Sequence, residues 1–287
     1  MPQKKSEYED YLKFIDEALE VAKNIPRYFS KFSNKIYCNH QKLAIYILMQ
    51  KFKLTTRGIV SYLRSNSDAR MHLGLFKIPV HTTILRFVPK IKEFMSLLLD
   101  IRKAKIVAVD STGFELESKS YYYRKVFDDK WKKKTKKFMK LSIAIDTEKK
   151  QILTYKIRKS RIHDSREFKY LLKEIKCEHV TADKGYDSKE LRKYVIRKLK
   201  ARPHIPYRKF SSRAKRGKLI IPQPDKKIYN QRPAVENIFF CLKRKYGSVL
   251  RCRSYTTQQT ELISKLITYN LDRKLNYLLL NIGLHQR

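Results

Sequence analysis

The chain has 287 residues, with 66 lysines and arginines against 27 aspartates and glutamates, for a formal net charge of +39. So large a positive charge repels itself unless a polyanion is the usual partner, which favours a nucleic-acid-binding protein. Ribosomal scaffold proteins, the other very basic class, tend to carry their charge in disordered tails, whereas basic residues run throughout this 42% apolar sequence. The length suffices for one large domain or for a catalytic domain with a smaller helical partner.

Membrane and secretory signals are weak. No apolar run approaches the ~20 residues of a spanning helix, and the N-terminus, MPQKKSEYEDYLKF, lacks the apolar core of a signal peptide. The four cysteines form no C-x-x-C pair and have no histidines at zinc-finger spacing. These features predict a cytoplasmic protein, associated with DNA, whose thiols are free.

The N-terminal region is predicted to be helical. Apolar residues recur at helical intervals over residues 39–64, and Thr55-Thr56 interrupts them where it can cap a second helix, which predicts a helical hairpin. A third helix is expected to open at Thr82 or Thr83, with Pro89 kinking or splitting it. Residues 1–103 are therefore interpreted as a helical region of helix-turn-helix type, which either binds DNA or forms a dimerisation bundle.

The periodicity changes after this region. The runs KIVAVDST and KFMKLSIAIDTEKKQILTYKIRKS predict β-strands, and Asp146 is expected to serve the hairpin turn in the second run. A helix should follow in DSREFKYLLKEI, capped by Asp164 or Ser165, and then a strand through residues 180–182.

Further alternation of helices and strands follows to the C-terminus. The segment SKELRKYVIRKLK predicts a helix with Asp187 or Ser188 at its cap, and RPHIPYR predicts a short strand. Another helix is expected from about Pro233 to Tyr246. The last helix should open with a capping box of Thr256 and Gln259 and bury a stripe of apolar residues, namely Leu262, Leu266, Tyr269 and Leu271.

This pattern predicts an α/β domain over residues 104–287, with a mixed sheet flanked by helices. Within it, Asp110 follows the apolar run IVAV, Asp183 follows VTA, and Glu236 lies in the helix near Tyr246. Ligands collect at the carboxyl ends of strands in α/β sheets, so these three carboxylates can hold divalent metal. Paired metal ions with carboxylate ligands are suited to phosphodiester chemistry.

The carboxylates and their neighbours resemble the DDE transposases of bacterial and archaeal insertion sequences. The resemblance is carried by AVDST, by ADKGYDS and by the spacing Tyr229-x2-Arg232-x3-Glu236-x6-Lys243. It covers residues 106–246, and VHTTILRF matches the family's helical N-terminal segment more loosely.

The resemblance implies a ribonuclease-H-like fold in which Asp110, Asp183 and Glu236 bind two Mg²⁺ or Mn²⁺ ions. It also implies that the signature residues contact DNA near the cleaved end, which assigns this role to Tyr229, Arg232 and Lys243. Helical geometry agrees with part of this assignment, because Glu236 and Lys243 are two helical turns apart and point to one face. His163 and Asp164 are possible neighbours of the site, although a capping role is expected for Asp164.

Two basic segments are expected to track the DNA backbone. Residues 191–224 contain 12 lysines or arginines and no acidic side chain, and residues 121–140 mix aromatic residues with lysine. Only 53 positions separate Asp183 from Glu236, which leaves no room for the β-strand insertion with a tryptophan that some relatives carry there. The only tryptophan, Trp131, lies between the two aspartates instead, so the sequence does not specify a hairpin intermediate.

The leading hypothesis is a DNA transposase that binds the ends of its own element, cleaves them in a metal-dependent reaction and joins them to target DNA. Its partners would be double-stranded DNA and, because two ends must be joined, a second copy of the chain. The alternatives are a related nuclease without strand transfer and a catalytically silent DNA-binding protein derived from a transposase.

Overall fold

The part of the chain that the computed structural model describes, residues 7–92, 94, 99, 103–116, 138–159, 163–207 and 224–284, contains a mixed β-sheet and a set of α-helices. The helices are α1 (Glu7–Ala22), α2 (Asn39–Lys51), α3 (Thr56–Ser65), α4 (Ser67–His72), α5 (His81–Ile91), α6 (Ser165–Leu172), α7 (Lys189–Arg197), α8 (Lys226–Tyr229), α9 (Ala234–Tyr246) and α10 (Tyr255–Leu284). The strands are β1 (Ile106–Leu116), β2 (Phe138–Asp146), β3 (Gln151–Arg158), β4 (His179–Ala182), β5 (Arg202–His204) and β6 (Val249–Leu250).

The chain divides into two units. Residues 1–99 and 244–287 form a helical unit, and residues 100–243 form a unit built on the sheet. The C-terminal helix α10 therefore groups with the N-terminal helices, since it packs against α1, α2 and α5. The proposed division into functional domains at residue 103 remains a prediction. Most of the two basic segments predicted to track DNA, and Trp131 with them, lie outside the described residues.

The predicted helical hairpin is confirmed in the helical unit as α2 and α3. Thr55 caps α3, because its hydroxyl accepts a hydrogen bond from the Gly58 N–H at 3.0 Å. The start predicted for α5 was wrong by one or two residues. The helix begins at His81 after Val80, which makes no side-chain cap, and it continues through Pro89 to end at Ile91.

The last helix also starts earlier than its predicted capping box. Ser254 precedes α10 and accepts a hydrogen bond from the Thr257 N–H at 3.2 Å, so Thr256 is already inside the helix. The predicted stripe is confirmed, because all four of its apolar residues are buried. Beyond it, the nearly buried Asp272 binds both Lys51 and the Tyr246 hydroxyl, which ties α10 to the other helices of this unit.

The sheet of the second unit has the strand order β3-β2-β1-β4-β5. Strands β1, β2 and β3 pair antiparallel, whereas β1 pairs with β4 and β4 with β5 in parallel. The predicted hairpin between β2 and β3 is confirmed, and the Asp146 carboxylate accepts hydrogen bonds from the Glu148 and Lys149 N–H groups at 2.8 and 3.1 Å. This aspartate therefore serves the turn, as predicted.

Helices α6 and α7 pack against this sheet. Phe168 and Leu172 of α6 and Val195 of α7 share one buried cluster with Val107 and Val109 of β1. Apolar positions spaced at helical intervals thus meet every second position of the central strand, as the two periodicities require. This packing fixes the strand that carries Asp110.

Two aspartates predicted to cap helices form ion pairs instead of side-chain capping hydrogen bonds. Asp164 stands at the N-cap of α6 without a side-chain cap hydrogen bond, and its carboxylate pairs with the buried Lys140 of β2 instead. Asp187 precedes the N-cap Ser188, and it pairs with Arg192 at 2.9 Å. Arg192 is only 2% exposed. An unpaired buried guanidinium costs more free energy than a missing helix cap, so the Asp187 carboxylate pairs with Arg192.

We expect Asp187→Ala to destabilise the protein by about 3 kcal/mol, because it leaves the buried Arg192 charge uncompensated. The matched control is Glu190→Ala, which removes a carboxylate from an exposed ion pair with Lys169. It should leave the free energy of unfolding nearly unchanged, because exposed ion pairs contribute little to stability. Urea denaturation of the three proteins measures both values, and equal effects of the two substitutions would contradict this assignment.

Candidate active site

Asp110 and Asp183 lie side by side, Asp110 in the middle of β1 and Asp183 directly after the end of β4. In the parallel pairing of β1 and β4, Val109 is the partner of Ala182, and each aspartate is the next residue along the chain. The register therefore places the two carboxylates side by side, where β4 ends and β1 continues. The structure thus brings together Asp110 and Asp183, two of the three carboxylates that the sequence predicts as metal ligands.

A tight turn fixes the Asp183 carboxylate. Its Oδ1 accepts a hydrogen bond from the Gly185 N–H at 2.8 Å, as the N-cap of a single 3-10 turn over residues 184–186. A Cβ at position 185 would lie 2.8 Å from the same oxygen. The glycine of the DKGY sequence thus allows the carboxylate and the backbone to approach this closely.

Asp110 is the electrostatically perturbed carboxylate of the site. Burial raises its pKa to about 6, and the negative charge of Asp183 also raises it, against a hydrogen bond from the Ser111 N–H and the charge of Arg232. A carboxyl with such a pKa indicates a site that favours a bound cation or a proton. This is a common feature of catalytic centres.

Arg232 links Asp110 to Glu236. Its guanidinium Nη2 lies 2.7 Å from Glu236 Oε1, and its Nη1 lies 4.0 Å from Asp110 Oδ2. The Glu236 side chain is 56% exposed at the start of α9. Glu236 therefore joins the aspartates through a cation from its own signature, and no group of three histidine, cysteine or acidic side chains within the described ranges is arranged to hold a metal ion.

Lys243 lies beside the strand that carries Asp110. Its ammonium donates a hydrogen bond to Thr112 Oγ1 at 2.7 Å and lies 5.6 Å from the centre of the Phe114 ring. Thr112 and Phe114 share the Asp110 face of β1, because side chains alternate along a strand. Thr112 is a site residue that sequence reasoning missed, although its position two residues after Asp110 is a signal that could have found it.

Tyr229, the first residue of the signature, ends helix α8, and its carbonyl accepts a hydrogen bond from the Arg232 N–H at 2.9 Å. The turn between α8 and α9 therefore connects Tyr229 to the guanidinium that holds Glu236. Its role toward DNA remains a prediction.

A groove of about 480 Å³ opens beside β1. His163 and Asp164 line it together with Ser111, Thr112, Gly113, Phe138 and Lys140. His163 is thus a neighbour of the strand that carries Asp110, and its Nδ1 lies 2.8 Å from Ser165 Oγ. Through Lys140, Asp164 connects to the buried Glu167, which binds Ser142 and lies 2.6 Å from Arg158 Nε, a network that the sequence did not indicate.

The comparison with known families decides the identity of this arrangement. The sequence matches the family described as "Transposase DDE domain" over residues 101–271. The chain belongs to this family. Membership makes it a nuclease or transposition enzyme, of a family that typically uses divalent metal ions.

The fold agrees with the family. The chain is similar to a structure titled "Cryo-EM structure of piggyBac transposase synaptic complex with hairpin DNA (SNHP)", with a TM-score of 0.51 and 10% sequence identity. The similarity covers 96% of this chain and 73% of the other. It confirms the ribonuclease-H-like fold with a helical N-terminal region. A search of the curated proteins finds no match.

The structure bears on two further predictions made from the sequence. Along the described ranges, no helix combines the length and apolar character needed to span a bilayer. The donor set of the site consists of carboxylate oxygens, the hard ligands that Mg²⁺ and Mn²⁺ prefer, and the adjacent Asp110 and Asp183 fit such an ion.

Asp110→Asn should raise the unfolding temperature of the protein at pH 7 without divalent ions. The pKa of Asp110 in the folded protein, about 6, lies above its ordinary value of 3.8, so the unfolded chain loses the proton first as pH rises. The wild type thereby loses stability between about pH 4 and pH 6, by on the order of 3 kcal/mol. Asparagine carries no such charge.

Thermal unfolding from pH 4 to pH 8 measures the effect. The gap between Asp110→Asn and the wild type should open as pH rises and remain constant above about pH 7. Glu190→Gln, which alters an exposed carboxylate, is the control and should not produce this gap. If the wild type were as stable as Asp110→Asn at pH 7, the pKa of Asp110 would not be raised in the folded protein.

Proposed function

We propose that this chain is a DNA transposase that cleaves the ends of its own element in a metal-dependent reaction and joins them to target DNA. The observation that supports this most directly is that Asp110 of β1 lies beside Asp183 at the end of β4, with Glu236 connected through Arg232. We propose these three carboxylates as the ligands of Mg²⁺ or Mn²⁺. Bound ions would activate the attacking oxygen and stabilise the leaving oxygen.

The proposed reaction has two steps, and each is a nucleophilic attack on the phosphorus of a phosphodiester. In cleavage, a water oxygen attacks the phosphorus at an element end, the bond from phosphorus to the 3′-oxygen breaks, and a 3′-hydroxyl is released. In strand transfer, that hydroxyl attacks a phosphorus of the target, and the target's own 3′-oxygen leaves. One phosphodiester bond breaks for each bond formed in the second step.

The signature cations are proposed to hold the DNA end. Arg232 and Lys243 are donors without acceptor capacity, and both lie beside the carboxylate site, so they can bind the oxygens of a phosphate placed there. Phosphate binding would give Arg232 an alternative to Glu236. Tyr229 is assigned to the same DNA contact through its place in the signature.

The DNA partner is supported by charge and by similarity. The net charge of +39 favours a polyanion, and the similar piggyBac structure is a synaptic complex with hairpin DNA by its title. We propose double-stranded element ends and target DNA as substrates. We also propose a homodimer on DNA, because two ends must be joined, and a role of residues 1–103 in DNA binding or dimerisation.

Asp110→Asn should abolish cleavage and end joining while leaving DNA affinity nearly unchanged, because affinity comes mainly from counterion release at many phosphates. Purified protein is incubated with DNA from the flanks of its coding sequence and Mg²⁺ or Mn²⁺, and products are separated on denaturing gels. The control is Asp146→Asn, a strand-end substitution that keeps an acceptor for the hairpin turn, and it should retain activity.

The outcomes separate the three hypotheses. Joined products support a transposase, cleavage without joining supports a nuclease, and DNA binding without either supports a silent DNA-binding protein. An Asp110→Asn variant that cuts like the wild type would show that the assigned carboxylates are not the active site.

Lys243→Met should weaken binding to element ends and reduce the slope of log affinity against log salt by about one, the value expected for one phosphate contact. Methionine keeps an apolar stem near the Phe114 ring, so folding should be preserved. Lys173→Met, at an exposed position of the same unit, is the control. Fluorescence anisotropy at several salt concentrations measures the slope, and equal changes in both variants would contradict a specific contact of Lys243.

A further inference from the structure

Gln231 precedes Arg232 of the signature and is hydrogen-bonded to the sheet. Its side-chain Oε1 accepts a hydrogen bond from the Thr147 hydroxyl at 2.7 Å. Thr147 directly follows β2 and is only 6% exposed, and its N–H donates a hydrogen bond to the Ile106 carbonyl at the start of β1 at 3.1 Å. One side-chain contact therefore attaches the turn between α8 and α9 to the strand that carries Asp110.

The Thr147 hydroxyl serves Gln231 rather than its own turn. It lies 3.3 Å from the Ile106 carbonyl, a longer contact than the 2.7 Å to Gln231, and that carbonyl already accepts the Thr147 N–H. A hydroxyl has one proton to donate, and the shorter contact has the better hydrogen-bond distance. Valine has the same shape as threonine and suits the end of a strand, so packing alone does not require the hydroxyl.

The start of α8 is held to the sheet as well. Asp225, the N-cap of α8, donates its N–H to His204 Nδ1 at 3.1 Å. His204 is fully buried in β5, and its Nε2 lies 3.1 Å from Nδ1 of His179 in β4. The segment is thus attached to the sheet before α8 and again after it, and Thr147 makes the attachment at the end that leads to Arg232.

The attached turn leads directly into α9. The Gln231 carbonyl accepts a hydrogen bond from the Ala234 N–H at 3.1 Å, which closes the turn into the helix. Arg232 follows Gln231, and its guanidinium lies 2.7 Å from Glu236 and 4.0 Å from Asp110. A displacement of the turn would therefore move the backbone from which this guanidinium reaches the carboxylates.

We propose that Thr147 is a positioning residue of the carboxylate site, because its hydrogen bond to Gln231 holds the signature turn where the Arg232 guanidinium reaches Asp110 and Glu236. This inference rests on the proposed function, in which Arg232 binds a phosphate of the DNA end. A misplacement of about 1 Å in a group that orients a substrate can lower a rate on the order of 100-fold. DNA affinity comes mainly from many other phosphates and should not depend on this contact.

The test compares Thr147→Val with Thr154→Val in the full chain. Each substitution removes one hydroxyl from the same sheet and keeps the shape of the side chain. Thr154 is a matched control, because its hydroxyl donates to the Leu171 carbonyl of α6 at 2.6 Å and not to the signature. Cleavage of element-end DNA is measured with Mn²⁺ at several DNA concentrations, which separates the maximal rate from the DNA concentration that gives half of it.

Thr147→Val should lower the maximal rate roughly tenfold to 100-fold and leave the half-maximal DNA concentration nearly unchanged. Thr154→Val should change neither, although both variants should lower the unfolding temperature to a similar extent, since each loses one hydrogen bond. Thr147→Ser keeps the hydroxyl and should cleave like the wild type. Equal maximal rates in Thr147→Val and Thr147→Ser would overturn the proposal.

A second variant removes the other partner of the contact. Gln231→Met keeps the length of the side chain without its acceptor, so it should slow cleavage as Thr147→Val does. The double variant should be no slower than the slower single variant, because both substitutions remove the same contact. A double variant whose loss equals the product of the two single losses would mean that the two side chains act independently, against the proposal.

Hydrogen exchange gives a readout that does not depend on activity. Backbone amides of residues 226–235 should exchange faster in Thr147→Val and Gln231→Met than in the wild type, and at the wild-type rate in Thr154→Val. A wild type that cleaves no DNA while exchange responds in this way would overturn the proposed function and support the attachment of the turn by Thr147. A wild type that cleaves no faster than Thr147→Val would reject the positioning role and leave the proposed function in place.

Discussion

The candidate site depends on the parallel pairing of β1 with β4. A one-residue shift in that register would turn one aspartate away from the other, because side chains alternate along a strand. The pairing also has an electrostatic cost, since it places Asp110 and Asp183 side by side on a packed sheet, where burial and then the charge of Asp183 raise the pKa of Asp110. The buried apolar residues beneath the strands hold the register against this repulsion. The fold thus maintains two carboxylates where a cation can stabilise them.

Arg232 explains how Glu236 can be connected to the two aspartates without forming one cluster with them. The guanidinium contacts Glu236 at 2.7 Å and lies 4.0 Å from Asp110, so it compensates part of the charge of each without completing a three-carboxylate cluster. Glu236 stands on the first turn of α9, and its exposed side chain can change partner without unfolding the helix. Since a phosphate would compete for the guanidinium, DNA binding and the arrangement of the carboxylates are coupled through one side chain in the proposed function.

The sequence predicted best those features that depend on neighbours along the chain. The α2–α3 hairpin, the turn at Asp146 and the end of β4 before Asp183 follow from periodicity and local hydrogen bonding. The strand end predicted at Asp110 was wrong, because β1 continues past Asp110 to Leu116 in its pairing with β2. The capping side chains of α5, α6 and α10 could not be predicted in this way. Several serines, threonines and aspartates near a helix start can act as caps, and tertiary contacts determine which of them does. Asp164 illustrates this, since the buried Lys140 takes the carboxylate that was assigned to the cap. Contacts between residues far apart in sequence, such as Lys243 with Thr112, require the fold itself.

Under the proposed function, a basic protein must keep acidic groups close to a polyanionic substrate. In the described part of the chain, most carboxylates around the site are compensated, since Lys140 pairs with Asp164, and Arg158 and Arg232 pair with their own glutamates. Asp183 instead accepts a backbone N–H, and Asp110 lies at the outer limit of ion-pair distance from Arg232. The uncompensated negative charge is thereby confined to one pair of oxygen ligands. Because repulsion of a nearby phosphate comes from that pair, a divalent ion bound there would remove the repulsion and supply the chemistry at the same position, while lysines and arginines elsewhere provide affinity.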